Sequence, residues 1–397
     1  MDWNGLYASR MSRVVASDIR ERMKLLAQKK LIHLGGGLPD PAIFPYQAFA
    51  DASAAILGDQ QRARTALQYA ASEGHGPLRE WIVGYMASIG VPCALENILI
   101  VNGSQQGLDF VGKLLIGAGD TVMVEMPSFI GALRAFDAYE PTYVAVPKAG
   151  DPRPAHGAKF AYVGPDFRNP TGTTMTRAER IELLEMAEAL DMSIVEDGCY
   201  EKLRYDGDPI PSVLALDIER SGDIDRSRVL YTGTLSKTIA PSLRVGWMCG
   251  PAPVIRKLTL IKQASDLATS ALNQMIALDV VSEHLDAAVA TACQVYRERR
   301  DSMLDALSAS MPEGVTWTRP EGGLYIWVTL PPHIDGAELA THALTDHGVS
   351  TISGSAFYPV DPQRNTLRLS FSMIPAEDAR EGIRRLALAI EKTPARV

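Results

Sequence analysis

Between residues 97 and 231 the chain repeats one unit: a short apolar run, a turn holding glycine or proline, then a longer amphipathic stretch. The runs 97–101 (NILIV), 121–124, 141–146, 160–163, 193–195 and 229–231 read as buried strands, because apolar residues bounded by polar ones leave no wet face. Helices are expected over 46–58, 78–89, 104–116 and 177–190, with another started by Pro127 at its favoured first position. This alternation predicts an α/β fold, a mostly parallel sheet covered by helices on both faces. Ligands of such sheets sit at the carboxyl ends of the strands. Ser104, Asn169, Asp197 and Lys237 each follow a strand end, so four different chemistries converge on one edge.

Lys237 lies in YTGTLSKTIAPSLRVGW (231–247). A neutral lysine amine is a nucleophile toward aldehydes. The hydroxyls of Thr232, Thr234, Ser236 and Thr238, with Arg244, suit a phosphate dianion. Two readings stand: an exposed lysine in a turn, or a site for a phosphorylated aldehyde, a description that pyridoxal 5'-phosphate (PLP) fits. Asn102-Gly103-Ser104-Gln105-Gln106-Gly107 joins a strand to a helix start, an anion-binding layout, with a simple N-cap at Ser104 as the plainer alternative. The glycines of LGGGLP (34–39) permit close backbone approach but match neither G-x-G-x-x-G nor a P-loop.

A chain of 397 residues implies about two domains. At a net charge of −8, with Arg297, Arg299 and Arg300 interleaved with Glu298 and Asp301, it has no basic stripe for nucleic acid and no polybasic tail for a membrane. Cys93, Cys199, Cys249 and Cys293 lie far apart without C-x-x-C, which argues against a disulfide framework or zinc and suits a reducing cytoplasm. The first residues lack the apolar core of a signal peptide, no run approaches a membrane span, and no metal motif occurs. A helix is expected over 18–28, capped by Ser17 and containing Arg20. Long helices over 272–310, strands over 323–330, 348–352 and 366–371, and helices over 336–347 and 375–391 suggest a smaller α+β domain from about 285 to 397.

Ten separate stretches then resemble one family. GGGLPDPAIFP (35–45), LQY (67–69), NGSQQGL (102–108), EMPSF (125–129), PDFRNPTG (165–172), EDGCY (196–200), TLSKTIAPSLRVGW (234–247), EGGLYIWV (321–328), GSAFYP (354–359) and LRLSFS (367–372) resemble the PLP-dependent aminotransferases of fold type I, class I/II. Within these the sequence looks closest to the α-aminoadipate/kynurenine aminotransferase branch. The resemblance implies a large domain (46–284) with a seven-stranded, mostly parallel sheet, a small domain (285–397), and an N-terminal segment (1–45) packed with the latter.

It also implies roles. Lys237 is the Schiff-base lysine and proton shuttle, and Asp197 pairs with the pyridinium nitrogen. Asn169 and Tyr200 bond the ring oxygen, and Phe129 stacks on the ring. Ser104, Gln105, Thr234, Ser236 and Arg244 hold the phosphate, while Tyr69 reaches the phosphate of a neighbouring subunit in a homodimer with shared sites. Arg368 takes the substrate carboxylate, with Asn169 and Gly37 beside it. Leu324 and Tyr325 line the side-chain pocket, and Arg20 recognises a side chain or distal carboxylate. Three positions depart from the family pattern. Phe129 replaces a frequent tyrosine, Arg168 is expected to face solvent, and Gly198-Cys199 brings a thiol, expected to be inert, near the ring.

The function so implied is transfer of an amino group from an L-amino acid (α-aminoadipate, aromatic or kynurenine-like, or large aliphatic) to a 2-oxo acid such as 2-oxoglutarate. A β-eliminating lyase or amino-acid oxidase on the same scaffold is the alternative, since one fold hosts several chemistries. A non-catalytic sensor domain is a remote third reading, as only a few tens of residues precede Gly35.

Overall fold

The structure is a computed structural model that describes residues 1, 3–13, 31–147, 151 and 158–393. The helix expected over 18–28, with Ser17 and Arg20, lies outside the described residues. Seven strands form the main sheet, in the order Ile98–Val101, Gly246–Cys249, Val229–Thr234, Ser193–Asp197, Phe160–Val163, Thr121–Val124, Thr142–Ala145. The five strands from Val229–Thr234 to Thr142–Ala145 run parallel. Gly246–Cys249 is antiparallel to both its neighbours. That strand escaped the sequence reading, because its apolar run is continuous with the lysine segment and carries no turn signal of its own.

Two further expectations need correction. The helix that Pro127 was expected to start begins at Ile130. The Ser128 N–H instead donates across the molecule to the Phe357 carbonyl at 2.8 Å, and Phe129 stays extended as the N-cap. The long helices expected over 272–310 are one 40-residue helix, Ala271–Ser310. Its Ala277, Val280, Val281, Leu285 and Ala288 are buried in the core beside the main sheet. From Ala292 to Leu307 it packs into a second core around an antiparallel sheet ordered Ile352–Ser353, Thr366–Ser370, Tyr325–Thr329, Thr316–Trp317. The expected boundary at 284/285 therefore falls inside a continuous helix. Ile32–His33 pairs in parallel with Val349–Ser350, and Leu34 is fully buried in the second core. Among the described residues, no helix is long and apolar enough to cross a membrane.

The end of Ser193–Asp197 shows how the sheet places charge. Side chains alternate along a strand, so Glu196 and Asp197 leave on opposite faces. Glu196 accepts from the N–H groups of Val213 and Leu214, both at 2.8 Å, at the start of the helix Val213–Ser221, which Ser212 also caps. Burial raises the Glu196 pKa to about 7. Glu196 thus anchors a helix, leaving Asp197 for the other face. Replacing Glu196 with Ala strands two buried donors and is expected to cost about 2 kcal/mol or more in urea unfolding. Ser212→Ala is expected to cost about 1 kcal/mol. A smaller loss for Glu196→Ala than for Ser212→Ala would refute the assignment of Glu196 as the principal anchor.

Candidate active site

Two glycines let backbone and guanidinium meet at one end of the site. Gly103 adopts φ +76°, and a Cβ there would stand 2.3 Å from Arg244 Nη2. A Cβ on Gly246 would stand 2.8 Å from the Ser104 nitrogen. The helix Ser104–Leu115 therefore starts flush against the strand Gly246–Cys249, and no side chain caps it. Arg244 is itself left-handed at φ 54°. Its Nη2 donates to the Asn102 carbonyl at 3.0 Å and its Nη1 to the Pro241 carbonyl at 3.2 Å. Among the described residues no carboxylate pairs with it. The Thr234 hydroxyl lies 2.8 Å from Ser236 Oγ and 3.2 Å from the Val245 carbonyl, so it orients Ser236 from behind. The Gln105 side chain is turned to the Gly131 carbonyl at 2.6 Å, beside the half-buried Phe129 ring.

A chain of contacts leads from there to the opposite end. Cys199 Sγ donates to Ser104 Oγ at 3.3 Å, and the Cys199 N–H donates to Asp197 Oδ1 at 3.2 Å. Asp197 Oδ2 accepts from the Tyr162 hydroxyl at 2.7 Å. Asp197 is buried, yet among the described residues no Lys or Arg pairs with it. Lys237 Nζ sits 5.9 Å from the Tyr200 ring centroid. The Tyr200 and Tyr325 hydroxyls are 3.2 Å apart, and Asn169 Nδ2 donates to Tyr325 at 3.4 Å. Arg368 Nη1 donates to Asn169 Oδ1 at 2.8 Å. Burial, then Tyr325, raises the Tyr200 pKa well above the ordinary tyrosine value, so its hydroxyl keeps its proton.

Arg368 is the most exceptional of these groups. Its side chain is buried, with Nη2 on the Gly35 carbonyl at 2.8 Å and Nε without a partner among the described residues. The guanidinium carbon lies 4.4 Å from the Tyr325 ring centroid and 5.0 Å from that of Phe357, cation–π contacts that partly offset its desolvation. Burial lowers its pKa.

The remaining expectations divide. Gly37 stands against Tyr325, where a Cβ would meet the hydroxyl at 2.2 Å, and the carbonyl on Arg368 is that of Gly35 instead. Leu324 is fully buried in the second core. Tyr69 is 80% exposed. Burial, then Asp197, raises the Cys199 thiol pKa well above its usual value, in keeping with an inert thiol. Arg168 does not face solvent: its Nη1 pairs with the buried Glu125 Oε1 at 2.5 Å. The sequence reading missed Glu125 as its partner because the two are brought together only by the pairing of neighbouring strands. It missed Tyr162 as well, although a tyrosine in an otherwise apolar strand signals a hydroxyl in need of a partner.

These groups fit PLP. Its phosphate matches an uncapped helix start with Ser236 and Arg244, and its cationic ring nitrogen matches a buried carboxylate that lacks a cation. Arg368, with an orphaned Nε at the far end, matches a second anion. The fold and site thus fit a fold type I α/β enzyme. Residues 165–386 match the family described as aminotransferase class I and II. The chain is 37% identical to aromatic-amino-acid aminotransferase 1 of Thermococcus litoralis, over 99% of its own length and 95% of that protein. It is 35% identical to 2-aminoadipate transaminase of Thermus thermophilus, over 98% of each. The kynurenine aminotransferase of Pyrococcus horikoshii, solved in complex with PMP, superposes with a TM-score of 0.89 at 37% identity, with 98% of each chain covered. The chain belongs to the class I and II aminotransferases. It is a PLP-dependent amino-acid aminotransferase.

The Arg168–Glu125 pair supports the loop that carries Asn169. Arg168→Met leaves Glu125 buried and unpaired and is expected to cost about 3 kcal/mol. Adding Glu125→Gln is expected to restore most of that loss. Urea titrations of the two single variants and the double variant check this; equal losses for Arg168→Met and the double variant would sink it.

Proposed function

We propose that this enzyme moves the amino group of a large L-amino acid, aromatic, kynurenine-like, aliphatic or α-aminoadipate, to a 2-oxo acid, 2-oxoglutarate foremost. One observation carries the reading: a buried Arg368 guanidinium, with Nε unpaired among the described residues, in the same contact chain as Lys237. Its fork suits an α-carboxylate, and lysine cannot reproduce two parallel donors. The names of the relatives support the donor classes.

These residue roles are proposed on that geometry. Ser104, the Gln105 N–H, Ser236 and Arg244 would hold the phosphate, with Thr234 acting through Ser236. Phe129 would cover the ring. Asp197, held by Tyr162 and the Cys199 N–H, would pair with the ring nitrogen. Tyr200 and Asn169 would donate to the ring oxygen. Bound there, PLP supplies an aldehyde that accepts amino groups and a protonated ring that withdraws electrons from the substrate Cα. Lys237 would hold the cofactor through its amine and, as a free amine, would take and return the substrate Cα proton. Gly37, Leu324 and Tyr325 shape the pocket, and Arg20 is assigned to side-chain recognition.

The assembly we propose is a homodimer in which Tyr69 reaches the partner's phosphate. Its 80% exposure, with Leu38, Tyr46 and Leu67 at 61%, 62% and 72%, supports a covered face there. The division into a 1–45 segment, a 46–284 large domain and a 285–397 small domain is proposed on the two cores, with the long helix shared between them. Four unpaired cysteines support a cytoplasmic setting.

Lys237→Ala is expected to abolish transamination and to change the absorbance of the bound cofactor. Unchanged turnover would remove the lysine from its role. Arg368→Lys is expected to lower kcat/KM about ten- to hundred-fold across all donors. A loss confined to one donor would show that Arg368 reads side chains and not the α-carboxylate. A matrix of L-amino acids against 2-oxo acids, followed by product analysis, tests the substrate classes.

A further inference from the structure

Lys262 is a fully buried lysine outside the contact chain described above. It sits near the end of the helix Ala252–Ser265, which packs on the helix Ser104–Leu115. Its ammonium has three acceptors for three protons: Asp266 Oδ1 at 2.9 Å, Asp266 Oδ2 at 3.0 Å and Gln106 Oε1 at 3.2 Å. The Asp266 carboxylate also accepts from Gln106 Nε2 at 2.7 Å and from Asn102 Nδ2. Gln106 Oε1 takes the Asn102 N–H at 2.8 Å. The Asn102 carbonyl in turn receives Arg244 Nη2.

Desolvating an ammonium is costly, and an apolar side chain of the same length would avoid that cost. What the pair supplies in return is specific. Asn102 and Gln106 bracket Gly103, Ser104 and Gln105, the residues that aim the helix start. The Asn102 side chain reaches Asp266, and that of Gln106 reaches both Asp266 and Lys262. We propose that Lys262 and Asp266 are positioning residues for the cofactor phosphate. They clamp both ends of the Asn102–Gln106 turn and, through the Asn102 carbonyl, set the orientation of Arg244. This rests on the reading that Ser104, Ser236 and Arg244 hold the phosphate.

The test uses the full-length enzyme, resolved of cofactor and titrated separately with PLP and with pyridoxal, which lacks the phosphate. Arg244→Ala is the control for the cradle and is expected to weaken PLP much more than pyridoxal. Asp266→Asn keeps the side-chain shape and removes the charge. It is expected to weaken PLP roughly tenfold while leaving pyridoxal within about twofold. Lys262→Met is expected to do the same. In the Arg244→Ala background, Asp266→Asn is expected to lose most of its effect. Equal weakening of both ligands would make the pair a fold element only and overturn the proposal, as would unchanged PLP binding beside a responsive Arg244→Ala. If Arg244→Ala itself does not separate the two ligands, the cradle reading fails, whatever the pair does.

Discussion

The hydrogen bond from Arg368 to Asn169 joins two sheets that share no strand. Asn169 follows a strand of the parallel sheet, and Arg368 lies within the antiparallel one. Everything that makes this site asymmetric depends on that junction. It brings the Arg368 guanidinium into the contacts that lead through Asn169, Tyr325 and Tyr200 toward Lys237. Arg244 lies against the turn at Gly103, where a helix start with free N–H groups suits a dianion with three oxygens. Arg368 is flanked by aromatic faces and one amide, which suit a planar carboxylate. A site for the cofactor alone would need only the first.

The same junction explains why buried charge is tolerable here. Arg368 and Asp197 are both desolvated, and neither is paired with an opposite side-chain charge among the described residues. Each is instead held by neutral groups: Asn169, a carbonyl and two rings for the cation, Tyr162 and a backbone N–H for the anion. Neutral partners fix geometry without cancelling the field. Two other carboxylates near the site have cations instead: Glu125 has Arg168, and Asp266 has Lys262.

Much of this was legible from sequence because the site is built at strand ends. A strand end is a local event, and Ser104, Asn169, Asp197 and Lys237 could be placed one by one. The parallel sheet then puts these strand ends on one edge. What stayed hidden were relations between elements. Nothing near Arg168 in sequence announces Glu125, and the solvent-facing expectation failed for that reason. The strand Gly246–Cys249 was hidden because antiparallel insertion between two existing strands leaves no alternation to read. Gly246 itself looked like any strand glycine until the start of the Ser104 helix was seen to press against its Cα.

Lys262 shows the limit most clearly. In sequence it is one cation on an amphipathic helix, for which a wet face is the ordinary reading. Three acceptors converge on its ammonium only because Asp266 follows four residues later at the helix end and Gln106 arrives from another helix. The spacing from Lys262 to Asp266 is visible in the chain, but the partner that turns a surface pair into a buried clamp is not. The helix start at Ser104 is thus specified twice. Locally, a glycine turn into the helix sets the backbone, and at long range the buried Lys262 and the half-buried Asp266 bind that turn, whose Asn102 carbonyl receives Arg244. A helix start with only the first specification is free to fray in its opening turn. The second specification removes that freedom, which is what a receptor for a dianion requires if its donors are to be in place before the anion arrives.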